Sequence, residues 1–283
     1  MYFDLDKIKE QVEQVYEEVL AFRRDLHMHP ELSEQEIRTE EKICSRLDAL
    51  QIPYQRGVAG HGVCAVIRGT TADRTVGIRA DIDALPVAEQ TELAYASLNL
   101  GVMHACGHDM HTAILLGTAA ILKQNADTLP GTVKLFFQPS EETIGGAKQM
   151  IDAGCLEDPH VENVIALHVD PMTDLGKLKF TKGCMNAATT EMELTVRGKA
   201  CHGAHPDTGI DVLPPACSIV AALQTIVSRN LAPTTPAVVT VGTFQSGTAK
   251  NVISGEAKLG GTIRALDLDV MAYLKERVQK IAV

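Results

Sequence analysis

Four short runs constrain the fold most: VCAVI (63–67), TVGIRA (75–80), TVKLFF (132–137) and NVIALH (163–168). Each is nearly continuous in apolar residues, the pattern of a short buried strand. Helical periodicity fills the longer gaps. His108 to Lys123 carries Met110, Ile114, Gly117 and Ile121 on one side, and a short helix is expected over Ile144 to Ala153. Strands separated by helices imply an α/β fold with a mostly parallel sheet flanked by helices. Upstream, Leu5, Ile8, Val12, Val15, Val19, Phe22 and Leu26 recur at steps of three and four, one helical stripe. Ser33 and Glu36 have capping-box spacing and are expected to open a second helix through Ile37, Ile43, Leu47 and Leu50.

A second rhythm follows the Gly183 region. TEMELTVRG (190–198) alternates like a half-exposed strand, and a helix is expected from Val212 to Val227. AVVTVGTFQ (237–245) and EAKLGGTIRAL (256–266) are two further strands, before a last amphipathic helix from near Asp267. Strand–helix–strand–strand–helix is the order of a small α+β sandwich. The 283 residues therefore divide into a domain over 1–183 and a second over 184–283. The final helix reaches Val283 with no capping glycine and no following strand, so the second domain reads as one strand short.

Charge and cysteine usage narrow the partners. With 26 Lys and Arg against 36 Asp and Glu, the net charge is −10, which disfavours phosphate backbones and anionic lipid surfaces as partners. The longest nearly apolar stretch, Ala113 to Leu122, is about half of a membrane span. The first residues, MYFDLDKIKE, hold no signal-peptide core, so a cytoplasmic location is expected. Seven scattered cysteines with no CxxC pair argue against a disulfide framework or zinc ribbon.

In an open sheet, ligands bind beyond the carboxyl ends of the parallel strands. Those ends carry Asp81 and Asp83, then Glu141 and Glu142, then His168 and Asp170. Between them HACGHDMH supplies His104, Cys106, His108, Asp109 and His111 at the start of a helix. Carboxylates, imidazoles and a thiol gathered at one edge are the ligand types of a zinc or other transition-metal site. Singly, each has a plainer reading: loop solvation for Asp81 and Asp83, an acidic first helical turn for Glu141 and Glu142, and a helix cap for Asp109. In the second domain, GKACHGAHP (198–206) places His202 and His205 in a glycine-rich loop, Asn251 precedes a strand, and Arg264 ends one. Arg264 is suited to bidentate capture of a carboxylate, or to a surface ion pair.

RRDLHMHPELSEQE, RADIDALP, MHACGHDMHTAILLG, FFQPSEETIGGA, ALHV, GKACHGAHP, NVIS and GTIRALD together resemble the M20 metallopeptidases. Within them they resemble the amidohydrolases that split N-acyl amino acids. The resemblance implies a zinc-peptidase-like catalytic domain carrying an inserted ferredoxin-like lid and dimerisation domain. It implies two divalent ions per subunit (Zn, Mn, Co or Ni), held by Cys106, His108, Glu142 and His168, with Glu141 as general base. His202 matches a lid histidine that steadies the tetrahedral intermediate, and Asn251 and Arg264 match residues holding the substrate's carboxylate. Asp83 stands where related branches keep an Asp beside the metals, and Asp81 where they keep a His ligand. One further metal-ligating histidine of the family, beyond the lid, has no counterpart here. Expected partners are an N-acyl amino acid or short peptide and a second copy of the chain. The alternatives are a carboxypeptidase or dipeptidase of the same family, a metal-storage or metal-sensing protein, and a non-catalytic metal-binding homologue.

Overall fold

The computed structural model describes residues 4–143 and 145–283 and divides them into two compact units, one ending at Met172 and one starting at Thr173. The first unit opens with α1 (Leu5–Met28), capped by the Asp4 carboxylate, which accepts from the backbone N–H groups of Asp6 and Lys7. Then come α2 (Ile37–Ala49), β1 (Tyr54–Val58), β2 (Gly62–Arg68), β3 (Thr75–Asp81), α3 (His108–Gln124), β4 (Thr132–Gln138), α4 (Gly146–Asp152) and β5 (Asn163–Ala166). The expected start of the fourth helix, Ile144, lies outside the described residues. The five strands form one sheet in the order β1-β2-β4-β3-β5.

This sheet is mixed rather than mostly parallel. β3 runs parallel to β4 and β5, while β2 is antiparallel to both β4 and β1. Chain length explains the difference. β2 reaches β3 through residues 69–74 alone, and a parallel crossover needs about a dozen residues or more. The longer excursions through α3 and α4 leave room for parallel returns. The strand β1 escapes sequence reading because YQRGV carries little apolar signal.

The core lies between the sheet and α2 and α3. Ile43 and Leu47 from α2, Leu115, Leu116 and Ala119 from α3, and Val63, Ala65, Leu135 and Phe137 from the sheet pack together. β4 is buried at every position, as its run of apolar residues requires. The stripe on α1 behaves differently at its two ends: Leu26 is fully buried, but Leu5 is 70% exposed. Because β3, β4 and β5 run in one direction, their carboxyl ends share one edge. Asp81, Glu141, Glu142 and His168 collect there.

The second unit holds β6 (Ala188–Arg197), β7 (Cys201–His202), α5 (Leu213–Asn230), β8 (Ala237–Ser246), β9 (Val252–Ile253), β10 (Glu256–Ala265) and α6 (Leu268–Ala282). β10 lies between β6 and β8, antiparallel to both, with Leu259 opposite Leu194 and Phe244. Leu223 and Ile226 of α5 and Leu274 of α6 pack with Met192, Val239 and Ile263 of the sheet. Asp267 caps α6 by accepting from Asp269 and Val270. β7 and β9 form a separate small ladder pairing Cys201 with Ile253 and His202 with Val252.

Leu135 has no exposure, so Leu135→Ala should cost the first unit about 2–5 kcal/mol in urea unfolding. Leu5→Ala, at an exposed position of the same stripe type, should change stability by less than about 0.5 kcal/mol.

Candidate metal centre

His108 opens α3, and Gly107 before it takes a left-handed backbone (φ 83°) that presents the imidazole to the strand ends. A Cβ at Gly107 would stand 2.5 Å from Val169, so this approach also needs glycine. His108 Nδ1 lies 3.2 Å from Asp83 Oδ1. That hydrogen bond places a proton on Nδ1 and leaves the Nε2 lone pair free in the neutral ring. Nε2 is buried without a hydrogen-bond partner, and so is Glu142 Oε1, 3.7 Å away. Asp81 Oδ2 stands 3.5 Å from the same nitrogen. A buried polar atom left unpaired is costly. Here an imidazole lone pair and two carboxylates converge on one place, which is the donor set of a divalent cation.

Three overlapping ligand sets form, each with donor atoms within 4.8 Å of one another: Cys106, His108 and His168; Asp81, His108 and His111; His108, Glu141 and Glu142. His108 belongs to all three. Burial opposes charge on His108, yet Asp83, Asp81 and Glu142 outweigh it and hold its pKa above the usual value. Burial also pushes the Cys106 thiol up, to about 12, and the carboxylates of Glu142, Glu141 and Asp81 add to it. Without a cation, then, Cys106 stays a thiol. Its Sγ lies 3.3 Å from His168 Nε2, and His168 Nδ1 donates to the Val169 carbonyl.

Asp83 is buried with both oxygens used. Oδ1 accepts from His108, and Oδ2 from the Ser33 hydroxyl (2.7 Å) and the Glu142 backbone N–H (3.0 Å). It orients its neighbours and presents no free oxygen. Asp81 is buried too, bonded to His111 Nδ1 at 2.5 Å and to Arg79 at 2.7 Å. The Val169 N–H donates to His111 Nε2, which fixes the proton of that ring on Nδ1.

The acidic pair lies on a turn and not in a helical turn. After β4, Ser140 takes a left-handed backbone (φ 53°), costly for a residue with a Cβ. Two contacts hold it: its N–H donates to Glu36 Oε1 (2.8 Å), and its hydroxyl accepts from the Glu34 N–H. This bend aims Glu142 at His108 and leaves Glu141 exposed beside it. Burial, then the charge of Glu142, raises the pKa of Glu141.

The expected capping box does not form. Ser33 is spent on Asp83 and Glu36 on Ser140, and Glu31 instead accepts from the N–H groups of Arg38 and Thr39 at the start of α2. Asp109 does not cap α3 either. It is fully buried and bonds His27 (2.7 Å) and Arg23 (2.8 Å). His104 is buried with both ring nitrogens unpaired, and burial pushes its pKa down to about 4.

In the second unit the β7–β9 ladder brings His202 and Asn251 together: Gly203 N–H donates to the Asn251 carbonyl, and Ala204 N–H to His202 Nδ1. Arg264 is exposed on β10 between Thr189 and Val238, away from that ladder.

Residues 77–250 match Peptidase family M20/M25/M40. The chain belongs to this family. It is 41% identical, over 92% of its length, to the N-acetyl-L-cysteine deacetylase of Bacillus subtilis (strain 168), of which it spans 62%. It is 39% identical, over 93% of its length, to the N-acetyldiaminopimelate deacetylase of Priestia megaterium, of which it spans 70%. Among M20 structures, the YXEP protein of Bacillus subtilis, a dinuclear metal binding peptidase, superposes with a TM-score of 0.80 at 36% identity, over 95% of this chain and 70% of that one.

Sequence reading gathered Asp81 and His111 at the strand edge without assigning either to the metal, and did not place Ser33 or Glu36 there. All four are tied to it by hydrogen bonds across 30 to 104 positions. Asp83→Asn would turn an N–H donor toward the Ser33 hydroxyl, the Glu142 N–H or His108. It should lower the stability of the metal-free protein by about 1–3 kcal/mol in urea unfolding.

Proposed function

We propose that this protein hydrolyses the amide bond of N-acyl amino acids, releasing a carboxylic acid and a free amino acid, at a centre of two divalent ions. The observation that carries this reading is the unpaired His108 Nε2 facing Glu142 Oε1, with Cys106, His168 and Asp81 around them. Residues 1–183 form the metal-binding catalytic domain, and residues 184–283 the ferredoxin-like lid and dimerisation domain. Cys106, His108, Glu142 and His168 hold the ions, and Zn, Mn, Co or Ni suits such a mixed set. Ions held by these residues would lower the pKa of a bound water to ~7 and would polarise the scissile carbonyl.

The chain's own groups then divide the work. Glu141, whose carboxylate lies within 4.8 Å of the His108 and Glu142 donor atoms but is more exposed than Glu142, takes the water's proton and delivers it to the leaving nitrogen. Glu142 is unsuited to that task, because its oxygen faces His108 and Asp83 holds its backbone. Asp83 keeps the His108 ring and the acidic turn in register as a positioning residue. His202 Nδ1 accepts from Ala204, so Nε2 carries the proton and can donate it as a hydrogen bond to the oxyanion that develops on the carbonyl. The Arg264 fork is assigned to the amino acid's carboxylate, and Asn251, beside His202, to another part of the substrate.

No described helix is long and apolar enough to cross a membrane. We place the protein in the cytoplasm, where seven unpaired cysteines are at home. It pairs with a second copy through the second unit, whose sheet has β6 and β8 as open edges.

Glu141→Gln should retain metal and lose turnover of an N-acyl amino acid by about 10²–10⁴-fold, while Glu142→Gln should lose both. Elemental analysis after dialysis and a hydrolysis assay read the two outcomes. A chain that binds metal and cleaves neither N-acyl amino acids nor dipeptides would instead be a storage or sensing protein, and dipeptides cleaved in preference would make it a peptidase. Arg264→Lys should raise KM with little change in kcat, since a point charge replaces a two-pronged donor. Equal rates on an N-acyl amino acid and its amide would remove Arg264 from substrate binding.

A further inference from the structure

Apart from the metal centre, one cluster of reactive side chains stands on the other part of the first unit's core. Cys64 on β2 and Cys155 just after α4 share an apolar pocket with Val58, Phe136, Met150 and Val161. Both thiols belong to this one cluster, near enough for each to shift the ionisation of the other. Lys134, on β4 and 4% exposed, donates from Nζ to the Glu157 carbonyl at 2.7 Å and lies close enough to favour the thiolate of both. No other pair of thiols among the described residues interacts in this way: Cys106 faces His168, Cys44 touches Tyr54, and Cys184 and Cys217 are exposed.

We propose that Cys64 and Cys155 are a thiol–disulfide exchange site that closes a reversible bond in the folded protein when it meets a low-molecular-weight disulfide. Cys155 is partly exposed and Cys64 is buried, which sets the order of attack. Cys155 gives up its proton and attacks one sulfur of the reagent. The reagent's S–S bond breaks, a mixed disulfide forms, and one small thiol leaves with a proton. Cys64 then loses its proton and attacks the Cys155 sulfur, expelling the second small thiol. Two protein thiols are oxidised by two electrons, and one disulfide is reduced to two thiols. Burial pushes the Cys64 thiol up to about 12, so the second step is the slow one, and Lys134 partly offsets that burden. The bond ties β2 to the segment after α4, the helix that follows the Glu141–Glu142 turn.

The test incubates the whole protein with oxidised glutathione under native conditions, traps free thiols by alkylation and maps peptides by mass. The expected result is a peptide linking Cys64 to Cys155 that dithiothreitol removes, with a raised melting temperature before reduction. Cys64→Ser should stop at glutathione on Cys155, and Cys155→Ser should leave Cys64 unmodified. Circular dichroism of both variants establishes that they are folded. Full alkylation of Cys64 and Cys155 after oxidation would overturn the proposal. So would a Cys64–Cys155 link that forms only in urea.

Discussion

The two oxygens of Asp83 bind three separate parts of the first unit. One takes the Nδ1 proton of His108 and so directs Nε2 outward. The other takes the Ser33 hydroxyl and the Glu142 N–H. The start of α3, the loop before α2 and the turn after β4 therefore share one buried carboxylate. Removing Asp83 from water is unfavourable and tends to raise its pKa, but these donors more than compensate and hold the pKa below the usual carboxylate range. The fold thus favours the charged form of Asp83 at the point where the three segments meet.

That dependence explains what the sequence could and could not reveal. Strand ends placed Asp81, Glu142 and His168 at one edge, with Cys106 and His108 entering the helix between them, while the choice of Cys106, His108, Glu142 and His168 as a set came from the family resemblance. Ser33 and Glu36 were read locally, as a capping box, because a spacing of three positions is a local signal. Their real partners lie 50 and 104 positions away, a separation at which no spacing rule operates. The sheet shows the same limit. Apolar runs locate strands, yet their direction depends on how much chain joins them, and the six residues between β2 and β3 decided it. In the second unit, alternation in β6 and the caps of α6 are local, and there the α+β order was legible.

The charge balance around His108 is that of a site built for a cation. Asp81, Asp83, Glu141 and Glu142 crowd one strand edge, and their field raises the pKa of Glu141 and of the Cys106 thiol once burial has begun to do so. A cation held among these carboxylates would reverse the sign of that field at Cys106 and favour its thiolate.

A second buried network keeps that arrangement from relaxing. Asp109 follows His108 directly and is bonded to His27 and Arg23, and His27 bonds Glu89 on its other side at 3.1 Å. The hydrogen bond to Asp109 raises the pKa of His27 against the effect of burial, and the ring lies between the carboxylates of Asp109 and Glu89, with Arg23 alongside. Arg23 and Arg24 lie over the Tyr95 ring, each 5.1 Å from its centroid, which adds packing to charge. The first turn of α3 is thereby fixed on two sides, by Asp83 through His108 and by α1 through Asp109. A helix held at adjacent residues by opposed contacts cannot rotate to satisfy His108 Nε2 with protein atoms. The lone pair stays free because the alternatives have been removed.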